Sequence, residues 1–135
     1  MADYLFGTIA DNIFIYQKII INYDVVLLSD YGKGVLTDDL TQSLVSIANE
    51  NSKKILVDPK GLNYSKYTGA YLLTPNKKEA SLAAGVEIAD ENSLAAAGRN
   101  LLEASGIDKL LITCGKDGMV LFEPGEKPFK MGTKA

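Results

Sequence analysis

Histidine is absent from the 135 residues, and cysteine occurs once, as Cys114. The first absence excludes Ser-His-Asp and Cys-His catalysis, imidazole-held zinc and an imidazole pH switch. The second excludes an internal disulfide and a Cys-x-x-Cys centre, and it fits a reducing compartment. A basic excess is lacking as well. Fourteen Lys and Arg against 17 Asp and Glu leave a net charge of −3, which offers duplex nucleic acid no electrostatic footprint. Long hydrophobic runs are missing too. Runs such as those at residues 19–21 and 25–28 fall far short of the roughly 20 residues that span a bilayer. No basic stretch opens the chain as a secretory leader would. The expectation is a soluble, cytoplasmic chain with neither a membrane nor a nucleic-acid partner.

What is present suits a single folded domain. The chain is 47% hydrophobic and 23% charged, enough to bury a core and too little charge to favour disorder. Residues 11–21 carry Ile13, Tyr16 or Gln17, and Ile20 at helical spacing. Residues 25–28 (VVLL) follow as an uninterrupted apolar run, of the kind that suits a central parallel strand. Thr37-Asp38-Asp39 opens a helix with a hydroxyl cap and two first-turn acids, and Leu40, Leu44, Ile47 and Ala48 form its apolar stripe. Residues 54–57, 70–74 and 109–113 read as three further strands. Helices are expected at 77–84 and 91–104, the second directing Leu94, Ala97, Leu101 and Leu102 inward and stopping at Gly106. Asp117-Gly118 between apolar runs predicts a hairpin into residues 119–122, with 127–131 as an edge strand. The sum is an open α/β sheet, mainly parallel, with antiparallel strands at its C-terminal side.

Ligands in such sheets bind beyond the carboxyl ends of the strands. Polar residues gather at these places: Ser29-Asp30 with Lys33, Asp58 with Lys60, Asn76 with Glu79, and the glycines of residues 115–118. Acids, lysines and glycines on one rim suit a phosphorylated ligand with a divalent cation, since hard cations take oxygen donors and phosphates take amides and ammonium groups. Each segment also has a plain structural reading. Asn76 and Glu79 fit a helix capping box. Gly115-Lys116-Asp117-Gly118 fits a tight turn and is not a P-loop. Asp58-Pro59-Lys60-Gly61 and Lys33 fit loops with solvated cations. Cys114 fits the lining of the turn, and Tyr64 and Tyr67 fit half-buried packing.

In chain order, DVVLLSDYGKG (24–34), LVDPKG (56–61), YSKYTGAYLLTPNKKE (64–79) and LITCGKDGMVL (111–121) resemble the ribokinase/PfkB family of sugar kinases, and most of all its heptose 7-phosphate kinases. The resemblance implies a ribokinase-like α/β fold, a mainly parallel sheet in three layers, carried here by residues 1–135 as one partial domain with a poorly matched segment at 1–10. It implies ATP and Mg2+ as cofactors and a heptose phosphate as substrate, phosphorylated at the anomeric oxygen on the route to ADP-heptose and lipopolysaccharide core. Asn76 and Glu79 fall on the family's N-x-x-E motif, tied to magnesium and phosphate. Thr113, Gly115 and Gly118 fall on its T-x-G-x-x-G turn along the nucleotide, with Lys60 also assigned to the nucleotide side. Asp30, Lys33 and Asp58 match segments on the sugar and phosphate side.

The same resemblance implies that the family's Gly-Ala-Gly-Asp segment, which carries the anion hole and the base, lies beyond Ala135, so no catalytic residue is assigned within the chain. Strands preceding Asp11 and a nucleotidyltransferase domain behind the kinase are expected in the family pattern. The chain alone is therefore expected to be inactive and to self-associate through uncovered apolar sheet. A non-catalytic nucleotide-binding or interaction module is the alternative. A receiver-like domain with Asp58 as phosphoacceptor ranks last, because Asp30 is single and Thr113 is followed by Cys114 rather than Lys.

Overall fold

The computed structural model describes residues 16–29 and 37–132. A helical turn at 16–19 passes into a 3-10 turn, Ile20–Asn22, and then into β1, Val25–Ser29. The chain continues through α1 (Asp38–Glu50), β2 (Lys54–Asp58), a 3-10 turn at Tyr64–Tyr67 and β3 (Leu72–Leu73). It ends through α2 (Lys77–Ala84), α3 (Glu91–Ser105), β4 (Lys109–Thr113), a 3-10 turn at Gly115–Asp117, β5 (Met119–Phe122) and β6 (Phe129–Met131).

Local chemistry sets the helix limits. The Thr37 hydroxyl accepts the Leu40 N–H at 3.2 Å, which starts α1, and the amide of Asn51 closes it on the Ile47 carbonyl at 2.8 Å. Asp90 and Ser93 form a capping box at the start of α3, and Gly106, at φ 68°, stops it in the left-handed conformation.

The six strands form one sheet in the order β1-β2-β3-β4-β5-β6. The first four are parallel, and β5 and β6 are antiparallel additions, as the hairpin signal predicts. Register places Ile55, Val57, Leu73, Leu110, Ile112, Val120 and Phe122 on one face, where they join Leu40, Leu44, Ile47, Leu101 and Leu102 in a single buried core. Gly98 of α3 lies so close to the Phe122 ring that a Cβ there would sit 2.2 Å from Cζ. Helix α3 can approach the sheet only because that position has no side chain.

Two readings change. Residues 25–28 form not a central strand but an outer one: β1 pairs only with β2 among the described residues, and Leu27 is 77% exposed. Tyr71 precedes β3, which is two residues long. Residues 11–15 of the first expected helix, together with Asp30 and Lys33, lie outside the described residues.

Candidate functional site

The carboxyl ends of the parallel strands share one rim. Ser29 and Asp58 close β1 and β2 in register, and beyond β3 the residue Asn76 bridges in parallel to Thr113 at the end of β4. The Thr113 N–H donates to the Pro75 carbonyl at 3.0 Å. The sheet thus carries Asp58, Asn76 and Thr113 to adjacent places without help from their side chains.

Asn76 and Glu79 form the expected capping box. The Asn76 side-chain oxygen accepts the Glu79 N–H at 2.7 Å, and Glu79 Oε1 accepts the Asn76 N–H at 2.9 Å. The other carboxylate oxygen is also engaged, since Lys60 Nζ donates to Glu79 Oε2 at 2.5 Å. This contact links the loop after β2 to the start of α2. Two segments that the sequence suggests separately, Asp58 to Lys60 and Asn76 to Glu79, therefore meet in one ion pair.

The loop carrying Lys60 is held from below. Its backbone N–H donates to Tyr67 Oη at 3.2 Å, and the Tyr67 hydroxyl donates back to the Lys60 carbonyl at 3.4 Å. Tyr67 and Tyr64 are buried rather than half-buried, with ring centroids 6.0 Å apart. The Tyr64 hydroxyl has no hydrogen-bond partner among the described residues. Burial first, then the charges of Glu79 and Asp58, push its ionisation upward, so it remains a neutral donor. Sequence reading takes the two tyrosines as packing. Their spacing, three residues apart in a 3-10 turn that stacks i on i+3, is the signal that could have paired them.

The hairpin separates the two glycines of the turn. Gly115 sits at φ 60° with no atom within 4 Å of where a Cβ would be, so its surroundings are open to a close-approaching ligand. Gly118 sits at φ 92°, and a Cβ there would lie 2.1 Å from the Met131 carbonyl oxygen. The passage of β6 demands that glycine in addition to the positive φ. Cys114 is a free, half-buried thiol lining the turn, and its N–H donates to the Gly118 carbonyl at 2.7 Å.

Beside the hairpin lies a cleft of about 670 Å³, lined among others by Lys77, Asp90, Cys114, Asp117, Lys127 and Lys130. Its volume falls in the range of small-molecule sites. Lys130 donates to Glu91 at 2.8 Å, which raises the ammonium and lowers the carboxyl. Sequence reading passes over Lys77, Lys127 and Lys130, because no local motif marks them.

Among the described residues, no three His, Cys, Asp or Glu side chains converge as a metal cage. The oxygens of Glu79 and Asn76 are nonetheless of the hard type that magnesium takes. Magnesium commonly needs only one or two protein carboxylates when nucleotide phosphates supply the rest. The donor set fits an ion of that kind and does not fit a self-sufficient protein site. No helix among the described residues is long and apolar enough to cross a membrane.

Comparison with known proteins follows the same lines. The family described as pfkB family carbohydrate kinase matches residues 8–133. The chain is 57% identical over 112 residues to a protein named Bifunctional protein HldE from Desulfatibacillum aliphaticivorans, covering 83% of this chain and 23% of that one. It is 53% identical over 107 residues to the protein of the same name from Aliarcobacter butzleri, covering 79% and 22%. The chain thus spans under a quarter of the length of these two relatives. Among solved structures, the Arabidopsis thaliana ribokinase complexed with ribose and ATP superposes with a TM-score of 0.72 at 21% identity, covering 86% of this chain and 37% of that one. Phosphofructokinase-2 from Escherichia coli, in complex with potassium, gives 0.73 at 16% identity, covering 90% and 41%. These likenesses show the ribokinase-like fold.

Proposed function

This chain belongs to the pfkB family of carbohydrate kinases, and we propose that its rim forms the nucleotide-phosphate side of an ATP-dependent heptose 7-phosphate kinase. The observation that carries the reading is the Lys60–Glu79 contact, which gathers a cation, a carboxylate and a helix N-terminus where strands β2 to β4 end. Phosphoryl transfer asks the protein for positioning and charge relief rather than covalent chemistry. Lys60 is the group that would turn to a phosphate, and the N–H groups opening α2 add donors of the same sign. Thr113 and the open flank of Gly115 border the nucleotide, and Gly118 shapes the turn that presents them. Asn76 and Glu79 would hold magnesium, which when bound neutralises charge on the bridging phosphates. Asp58, with Asp30 and Lys33, is assigned to the sugar side. The heptose assignment rests on the four sequence segments and on the 57% and 53% identities. Cytoplasmic residence accompanies it.

The finer part of the proposal is that these 135 residues bind nucleotide weakly and do not turn over. The chain has no histidine, and no general base is assigned among its residues. A positioned base is worth typically 10²–10⁴-fold. Titration of Mg-ATP followed by NMR should move Lys60, Thr113 and Gly115, and Lys60→Met should weaken binding about tenfold, the worth of one charged hydrogen bond. Equal affinity of the two proteins, or no binding at millimolar nucleotide, overturns the phosphate-side assignment. ADP release with heptose 7-phosphate should stay at background. Turnover of about 1–100 s⁻¹, typical of kinases, overturns the finer claim.

A further inference from the structure

We propose that the cleft between helix α3 and the β5–β6 hairpin is a second binding site, for a small amphipathic anion: an apolar or aromatic body carrying one phosphate or carboxylate. It goes beyond the nucleotide reading, because none of Lys60, Asn76, Glu79, Thr113 and Gly115 lines it.

The walls of the cleft are held apart by specific contacts. At Gly98 the helix lies so close to the Phe122 ring that a Cβ would sit 2.2 Å from Cζ. One turn nearer its start, the same helix leaves about 670 Å³ open between its Leu94 and Ala95 and the strand residue Val120. The hairpin is tied to α3 on either side of this space. Lys130 Nζ donates to Glu91 Oε1 at 2.8 Å, and Arg99 Nη2 donates to the Glu126 carbonyl at 3.2 Å. Exposed contacts of this kind add little to stability. Together with the close approach at Gly98, they set the spacing of helix and hairpin. A concave space already formed, largely apolar and with a few polar groups, is the common form of a small-molecule site.

Floor and mouth differ in character. Val120 and Phe122 belong to the buried core, and Ile88 and Leu94 pack against it. An apolar body seated on these four side chains leaves water, and so do they. The charges at the mouth are of both signs, but most are committed. Asp90 accepts the Ser93 N–H and the Ser93 hydroxyl, each at 2.8 Å. Glu91 is held by Lys130. Lys77 and Lys127 remain, with no hydrogen-bond or ion-pair partner among the described residues, against Asp117 as the one further acid. Two unengaged ammonium groups complement an anionic end. A neutral ligand would leave both lysines idle, and a bare inorganic anion would leave the floor wet. Only a ligand that joins the two features uses the whole cleft.

The test uses the 135-residue chain and three probes: phenyl phosphate, inorganic phosphate and phenol. Binding is read from the methyl NMR signals of Ile88, Leu94 and Val120, with Leu27 of the exposed β1 as the control for adhesion to uncovered apolar surface. Phenyl phosphate should shift the three cleft methyls saturably, leave Leu27 in place and bind at least about tenfold more tightly than either of its halves. Ala95→Phe fills the cleft from the helix side and should abolish the shifts. Lys127→Met, at an exposed position, should weaken binding about tenfold, and it carries the test alone should Ala95→Phe fail to fold by circular dichroism. Phenol or phosphate binding as tightly as phenyl phosphate, shifts confined to Leu27, or no saturation at about 10 mM probe overturn the inference. An equal loss of binding in Lys60→Met also overturns it, since the cleft would then be part of the rim. Failure here leaves the phosphate-side assignment standing, and failure of that assignment leaves these probes readable.

Discussion

At the scale of single residues, glycine at the hairpin separates two demands that look alike in sequence. Gly115 and Gly118 both take positive φ, but only Gly118 faces backbone at 2.1 Å. An alanine at 115 meets open space, so its cost is the left-handed penalty alone, roughly 1–2 kcal/mol. At 118 the same change adds a collision with the Met131 carbonyl that no rotamer relieves, and it must displace β6. Urea unfolding should show Gly118→Ala losing at least about 2 kcal/mol more than Gly115→Ala. Mg-ATP affinity should fall more sharply for the 115 variant relative to its stability loss. Equal midpoints for the two variants would refute the distinction. The glycines and the Asn76–Glu79 box were legible in sequence, because each is a local arrangement. The Lys60–Glu79 pair and the support of Lys60 by Tyr67 were not, because they join residues on separate loops that only the parallel register brings together.

Elements carry the next set of constraints. Helix α2 is short, eight residues, and depends on its start. Asn76→Ala removes a side-chain acceptor at the cap and should cost about 1 kcal/mol, within the usual 0.5–2. Asn76→Asp should restore it. Helix α3 adds a pH dependence. Hydrogen bonds from the Ser93 backbone and hydroxyl hold the Asp90 carboxyl below its ordinary value, so the unfolded chain binds this proton more tightly than the folded one. The stabilisation is complete above the ordinary carboxyl range and is lost as pH falls toward the depressed folded value. Replacing Asp90 with Asn should flatten the acid limb of the stability profile in that window, measured by thermal unfolding at stepped pH. An unchanged acid limb would show that the cap contributes nothing titratable. The strands show the limit of reading elements by composition. Residues 25–28 and 110–112 are equally apolar, yet Leu110 and Ile112 are buried while Leu27 is 77% exposed. A run that is apolar on both faces identifies a strand fit for burial. It does not say which neighbours will supply that burial.

At the scale of the whole molecule, that exposed strand is an unsatisfied feature among the described residues. Ile21, Tyr23, Val25 and Leu27 are all exposed at 48% or more, and β1 has a strand partner on one side only among the described residues. An edge of parallel strand offers unpaired N–H and C=O groups, and here apolar side chains flank them without the lysine or proline that usually guards such edges. Burying Leu27 alone is worth roughly 1.5–3 kcal/mol. The hydrophobic effect and the open hydrogen-bond ladder therefore favour the same outcome, pairing of β1 with another strand. The 135-residue chain should self-associate with rising concentration in sedimentation equilibrium. Leu27→Lys places a charge on the open face without touching the buried core or the rim, and it should shift the chain toward monomer at unchanged helix content. A wild-type chain that stays monomeric at high concentration, or a variant that associates as strongly, would mean that β1 is not the surface through which the molecule meets its neighbours. With Leu27→Lys the rim residues remain in place, so Mg-ATP titration of this variant also separates loss of the surface from loss of the site.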